Sequence, residues 1–336
     1  MSKLDIQIKQ KEKVELIDLE TSMLHLQISG KDVNCTIVNT MRRIAYDYIP
    51  TYAFCKESIK IEKNTSKITN DQLRLKISQI GYPGFIFKHL NFSNDILILP
   101  EKYWKNVDFT NKNRPKYEKD KKKIEMYINV KNNSHEQQDI TSNNVVFYEN
   151  GEKITYPYKP SPYLILKLNP NEQCSLHAIA ELGIGKNNAI WSAASNVYYK
   201  QLAEDETSYD FYVESAGQYD EYVILIKSCQ IIIEKLNQIK DIISKNYNTS
   251  EISEKDSIKL ILTGEEHTLG QLINRALQDH DEVIFSGVSI MDLFIDEVTI
   301  KLRTKNNNPM IVIFDRIDYL VKLYEHIMNI LIKLSK

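Results

Sequence analysis

The sequence predicts an α+β fold in which one plan, a strand, a helix, further strand or strands and then a long helix, occurs twice. A large mainly-β insert interrupts the first copy. Three observations lead there. Two long apolar-striped helices are expected near residues 222–239 and 317–334. A strand followed by a shorter amphipathic helix precedes each of them. A polar stretch, residues 246–256, lies between the two copies as a linker.

Residues 14–30 alternate as a strand through Leu24, Leu26 and Ile28, ending at Gly30. A helix follows, capped by Asp32 or Asn34, with Ile37, Met41, Ile44 and Tyr48 on one face. Pro50 stops it, because the residue before a proline is driven out of α geometry. From residue 52 to about 205 the pattern turns strand-rich. Phe85–Phe87, Ile96–Leu99, Ile124–Val130 and Tyr163–Leu168 are short apolar runs bounded by turn residues. A strand with Tyr209, Phe211 and Val213 then enters a long helix. Tyr222, Ile226, Cys229, Ile233 and Leu236 form one stripe on it, and Leu225, Ile232 and Ile239 form a second. Two stripes mean burial on more than one side.

Beyond the linker the plan recurs in short form. A strand (Ile258–Leu262), a helix through Leu272, Ile273, Ala276 and Leu277, and two strands (Val283–Ser286, Val298–Leu302) lead to a last helix. That helix repeats Ile317, Leu320, Tyr324, Ile327, Leu331 and Leu334 on one face. Each copy thus ends in a helix too apolar to stand alone, and packing the two together buries both. The expectation is an intramolecular pseudo-dimer: residues 1–51 plus 206–245 as one module, 52–205 as insert domain, 257–336 as the second module.

Composition narrows the function classes. The 43 Lys plus Arg and 45 Asp plus Glu residues leave a net charge of −2, so no global field attracts a polyanion. The four cysteines, Cys35, Cys55, Cys174 and Cys229, are scattered without a CxxC pair, which argues against an ordinary zinc site. The opening residues lack the apolar core of a signal peptide, and no run approaches the ~20 apolar residues of a membrane span. The chain is therefore read as an intracellular soluble protein, with reduced thiols.

Candidate chemistry is sparse. Gly183-Ile184-Gly185-Lys186 fails as a phosphate loop, because Ala180 stands where a glycine is needed and Asn187 where a Ser or Thr is needed. His267 follows two glutamates but has no second ligand at metal spacing; Thr268 is expected to cap the helix there, with Leu269 beginning its apolar face. The basic run 111–123 reads as a solvated loop, with a stand-alone regulatory or nucleic-acid-binding module as the alternative function it suggests. Arg42 and Arg43 are adjacent and cannot share one helix face. Trp191 is either core or the anchor of the loop at 183–192, and the sequence favours neither.

Several segments together resemble the α-like subunits of cellular RNA polymerases: the bacterial α amino-terminal domain, the archaeal D subunit and the eukaryotic third-largest subunit. Val38-Asn39-Thr40-Met41-Arg42-Arg43-Ile44, running on to Ile49-Pro50-Thr51-Tyr52-Ala53, resembles the family's first helix. Asn64-Thr65-Ser66 and the stretch from Asp71 to Ile80 resemble segments that follow it. Leu182 to Ser192 resembles the "KGIGKEHAKWSP" loop, and Phe211 to Gly217 the "F.VESIG" entry to the last helix. Glu266-His267-Thr268-Leu269-Gly270 and Val283–Ser289 resemble the small partner, the archaeal L or eukaryotic eleventh subunit. The order matches over nearly the whole chain outside about 81–145, and fusion of the two partners resembles large cytoplasmic DNA viruses.

The resemblance implies a non-catalytic assembly platform that pairs its own two halves and holds the largest and second-largest polymerase subunits. A small subunit of the tenth or twelfth type is a further expected neighbour. It implies contact with DNA only indirectly, no homodimer, and no catalytic residue or cofactor. No counterpart of the family's zinc loop is present, so no zinc is expected. The interface residues expected, from the resemblance and from the apolar stripes of the two long helices, are Asn39, Arg42, Arg43, Lys186, Trp191, Ile226, Ile233, His267, Thr268, Leu269, Tyr324 and Ile327. Asn187-Asn188-Ala189-Ile190 replaces the family's "EHAK", removing an acid, an imidazole and a lysine from that loop. The implied location is host cytoplasm and virion for a viral source, and the nucleus otherwise.

Overall fold

The structure is a computed structural model that describes residues 4–16, 21–79, 123–154, 162, 164–203, 205–246, 256–263, 267–290, 297–305 and 308–336. The apolar runs at 85–87 and 96–99, most of the basic run at 111–123, and most of the linker lie outside these residues.

Along the chain, β1 (Gln7–Leu16) and β2 (Thr21–Ser29) pair antiparallel and lead to α1 (Cys35–Asp47) and β3 (Thr51–Ala53). The next stretch holds β4 (Ile59–Asn64), α2 (Asn70–Ser78), β5 (Ile124–Lys131), β6 (Gln138–Thr141) and β7 (Val145–Glu149). It continues with β8 (Glu152–Lys153), β9 (Leu164–Leu168), β10 (Gln173–Ile179) and β11 (Glu181–Gly183). Then come β12 (Ala194–Leu202), β13 (Asp205–Ser215) and the long α3 (Glu221–Asn246). The carboxy-terminal part is β14 (Ser257–Thr263), α4 (His267–Gln278), β15 (Val283–Ser289), β16 (Glu297–Thr304) and α5 (Pro309–Leu334).

The repeat is visible in the strand order. The first sheet runs β1-β2-β13-β12 and the last runs β14-β16-β15. Stripping β1 leaves β2-β13-β12, which matches β14-β16-β15 strand for strand, with α1 matching α4 and α3 matching α5. Each central strand, β13 or β16, feeds the long helix of its own copy. In the first sheet Leu24 faces Val213, Leu26 faces Phe211 and Ile28 faces Tyr209, all at most 2% exposed. Alternate residues of each strand thus line the core beneath the helices.

Two expectations need correction. The single strand expected at 14–30 is two strands. β1 has no apolar alternation to mark it: its positions are largely Lys, Gln and Glu, and among its described side chains only Ile8 is buried. The limits 52–205 for the insert take in β12, which pairs with β13 and so belongs to the first module's sheet. Between β3 and β11, the five-stranded sheet β4-β10-β5-β7-β8 and the pair β6-β9 enclose a separate core containing Leu73, Phe147, Leu168 and Leu176.

The modules meet through their helices. Helices α3 and α5 pack along each other, and α1 and α4 complete a four-helix seam. One continuous core runs through both modules. On α3 the fully buried positions include Leu225, Cys229, Ile232, Leu236 and Ile239; on α5 they include Leu320, Leu323, Tyr324, Ile327 and Leu331. None is more than 1% exposed. Burying each such side chain is worth about 1.5–3 kcal/mol, so neither helix is stable with this face in water. Of the seam residues expected, Tyr324 and Ile327 sit at its centre, whereas Ile226 and Ile233 are only half-buried. The second stripe of α3, with Cys229 and Leu236 from the first, carries the packing instead. At the seam's edge Lys240 Nζ lies 2.5 Å from Asp318 Oδ1, and Tyr319 donates its hydroxyl to Asp32 Oδ1 at 3.0 Å.

Candidate assembly surface

Helix α1 begins at Cys35 because Asn34 Oδ1 accepts the amide N–H of Ile37 at 3.0 Å. Ile37, Val38, Met41 and Ile44 turn into the core. Asn39, Arg42 and Arg43 are half-buried on the other side. Arg42 donates from Nε to Asn39 Oδ1 at 2.9 Å, one turn back. Asn39 thereby orients the guanidinium, whose terminal nitrogens form the planar fork suited to a carboxylate or carbonyl. Arg43 points elsewhere around the helix, as adjacent helical positions must.

The loop at 183–192 is tied to the end of α1 and to β3. Strand β11 pairs with β3, Leu182 opposite Tyr52. Lys186 donates its amide N–H to Asp47 O at 2.7 Å and its Nζ to Tyr48 Oη at 3.1 Å. Trp191 is 2% exposed, donates Nε1–H to Glu181 O at 2.9 Å, and accepts Thr51 Oγ1–H on its carbonyl at 2.6 Å. Both glycines are required by close approach. A Cβ at Gly183 would stand 2.4 Å from the Trp191 ring, and one at Gly185 would stand 2.6 Å from Tyr46 O. Trp191 is therefore the internal anchor of its loop, packed with Ala53 and Cys55.

The third motif closes on the same place. Gln218 accepts the Tyr52 N–H at 3.1 Å and donates to Tyr52 O at 2.7 Å, acting as a strand partner for β3. Tyr219 donates its hydroxyl to Pro50 O at 2.9 Å. Burial raises the Tyr219 phenol above its ordinary value, so it stays a donor. Gly217, at φ +97°, makes the turn before them in a region that suits glycine. Residues near 39–55, 181–192 and 215–219 thus form one bonded network, largely buried, with Asn187 to Ala189 exposed on it. Gln218 and Tyr219 were not singled out from the sequence; their partners lie 166 and 169 residues away, and no local pattern marks them.

In the second module His267 is the exposed first residue of α4, Thr268 is half-buried and Leu269 is 1% exposed. Thr268 lies inside the helix and so does not cap it, contrary to expectation. A Cβ at Gly270 would meet Val298 Cγ1 at 2.6 Å, which is how closely α4 lies on β16. Leu269 faces the seam core with Tyr324 and Ile327. Among the described residues no three His, Cys, Asp or Glu side chains gather as a metal site. Cys55, Cys174 and Cys229 are buried, and burial pushes the thiols of Cys174 and Cys229 up to about 11 and about 12.

A family model described as the RNA polymerase Rpb3/Rpb11 dimerisation domain matches residues 28–236, more than half of the chain. A second model of the same description matches residues 257–329. A protein of Acanthamoeba polyphaga mimivirus named "Putative DNA directed RNA polymerase subunit" is 29% identical over 350 residues, covering 98% of this chain and 96% of its own. The RNA polymerase II subunit rpb3 of Dictyostelium discoideum is 22% identical over 205 residues, 60% of this chain. Its Schizosaccharomyces pombe counterpart is 28% identical over 196 residues, 55% of this chain, and each of these two is matched over 61% of its own length. The two matches fall on the two copies of the repeated plan, one on each side of the linker. The chain belongs to the Rpb3/Rpb11 dimerisation-domain family of RNA polymerase subunits and carries both halves of that α-like pair in one polypeptide.

Proposed function

We propose that this chain is a non-catalytic assembly platform of a multisubunit DNA-dependent RNA polymerase, holding the largest and second-largest subunits while they carry out catalysis. The observation that carries the reading is the joining of α1, β3, the 183–192 loop and Gln218 into one hydrogen-bonded unit on the pre-paired dimer. The Asn39-oriented Arg42 fork stands on it, able to grip a neighbour's carboxylate or carbonyl groups.

Fusion supports the role physically. A linker of about a dozen residues reaches roughly 40 Å when extended. Short flexible tethers give effective concentrations near millimolar, so pairing of the modules does not depend on subunit supply. DNA would be met only through the larger chains, in the host cytoplasm and virion for a viral polymerase. Affinity purification of the tagged chain from its native source tests the proposal. Stoichiometric recovery with two very large chains is expected, and recovery of the chain alone at physiological salt would refute it.

A further inference from the structure

Lys227, in the second turn of α3, is 5% exposed, and its Nζ stands 4.4 Å from the centre of the Tyr219 ring. Half-buried lysines nearby have acids beside them: Lys13 meets Asp220 at 2.6 Å and Glu221 at 3.7 Å, and Lys240 meets Asp318. Lys227 makes no ion pair among the described residues. Burial alone, with no carboxylate opposing it, pushes its ammonium down to about 7. A tyrosine face attracts a cation, but it does not replace an anion in the interior. The isolated fold would be better served by an apolar side chain of the same length.

Gln230 follows one turn later on the same side of the helix, and its Oε1 is buried without a hydrogen-bond partner. Val223, one turn earlier, is 37% exposed, and Ile226 and Ile233 are half-buried. This stripe faces away from the fully buried seam positions of α3. It therefore presents apolar surface, bordered by a cation and an acceptor that are buried and unmatched in the free chain. The stripe also adjoins the assembly surface, because Tyr219 is bonded to Pro50 just before β3.

We propose that this stripe of α3 receives an acidic segment of a partner polymerase subunit, toward which the buried Lys227 turns to pair with an Asp or Glu carboxylate and Gln230 turns to accept an N–H of the same segment. The inference rests on the platform reading and names the chemistry of one of its contacts. A single cation among isoleucines and valine does not suit a nucleic-acid backbone, which is gripped by several Lys or Arg along its length. A protein acid with apolar neighbours matches both the charge and the surface around it.

The test co-expresses the full chain with the two large subunits and compares wild type, Lys227→Met and Gln230→Leu. Lys227→Met should raise the thermal midpoint of the free chain by several degrees at pH 7, while lowering recovery of a large subunit at least tenfold. Gln230→Leu should lower recovery severalfold without destabilising the free chain. Unchanged recovery with Lys227→Met, or a less stable free chain, would overturn the proposal while leaving the platform reading intact. Recovery that vanishes on nuclease treatment would assign the contact to nucleic acid and overturn it too. Failure of wild type to recover either large subunit would instead remove the platform reading, and this proposal with it.

Discussion

Tyr324, in the middle of the last helix and 0% exposed, donates its hydroxyl to the carbonyl of Ile37 in the first helix, 3.1 Å away across 287 residues of sequence. The bond joins the two modules at the centre of the seam. Tyr324→Phe should cost about 1–2 kcal/mol, since it removes one buried hydrogen bond and little packing. Tyr324→Ala should cost about 3–5 kcal/mol, because it also opens a cavity between α1, α3 and α5. An engineered protease site in the 247–255 linker reports the consequence. After cleavage the wild-type halves should co-elute on gel filtration, and the Tyr324→Ala halves should separate.

The two stripes of α3 differ in kind, and a pair of neighbouring substitutions separates them. Ile232 is 0% exposed in the seam, whereas Ile233 is half-buried on the outer side. Ile232→Asp should bury an unpaired carboxylate and lose several kcal/mol of stability in denaturant titrations. Ile233→Asp should lose about 1 kcal/mol or less in the free chain, because its side chain can turn toward water. Equal losses would mean that the seam is placed on the wrong face.

These two residues also mark how far the sequence could be read. Spacing at three and four positions located α3 and α5, and their shared apolarity implied that they meet. It could not say which stripe faces which neighbour, because a helix buried on several sides has apolar residues all around. Strand β12 was hidden for a related reason. Ala194 and Val197 reach the core, but Ser195 and Asn196 between them, and Tyr198 and Lys200 beyond, are exposed, so the segment resembles the irregular insert before it. Its true place follows from pairing with β13, a non-local fact. The surface residues behaved likewise. Resemblance pointed to Arg42, Lys186 and Trp191, while the bonds from Gln218 and Tyr219 that hold their segments together depend on folded distances.

The Trp191 loop offers a spectroscopic check. Trp104 is the other tryptophan of the chain, so a Trp104→Phe background leaves Trp191 as the sole indole emitter. Gly183→Ala there places a methyl 2.4 Å from the indole, which must move. A red-shifted emission and a loss of about 1–3 kcal/mol are expected, as for overpacking of a tight contact. An unchanged spectrum would show that the loop absorbs the methyl without displacing Trp191.

Arg42 and Arg43 carry the most direct prediction for assembly. Both are half-buried, away from the seam core, and Arg42 is held by Asn39. Double replacement by alanine should leave the far-ultraviolet spectrum unchanged and lower capture of a large subunit at least tenfold. Asn39→Ala alone should weaken capture less, because it frees the guanidinium to rotate but keeps its charge. Unaltered capture by the double variant would remove both arginines from the interface.

Lys227 gives the free chain a pH dependence whose sign is fixed. In the folded chain its ammonium is pushed down to about 7, while an unfolded lysine holds its proton to 10.5. Between those values the unfolded state binds the extra proton, so this group makes stability rise with pH. Its penalty is fully present at and below pH 7 and gone by about pH 10.5, a span of about 3–5 kcal/mol. Tyr219, the ring it faces, is raised by burial above its ordinary value and stays neutral across the window. Groups common to wild type and Lys227→Met cancel in their difference. Urea titrations of the two free chains from pH 6 to 10 should therefore show the variant more stable at pH 6–7 and the gap closing toward pH 10. A gap independent of pH would mean that Lys227 keeps its proton in the folded chain, with a counter-charge already beside it.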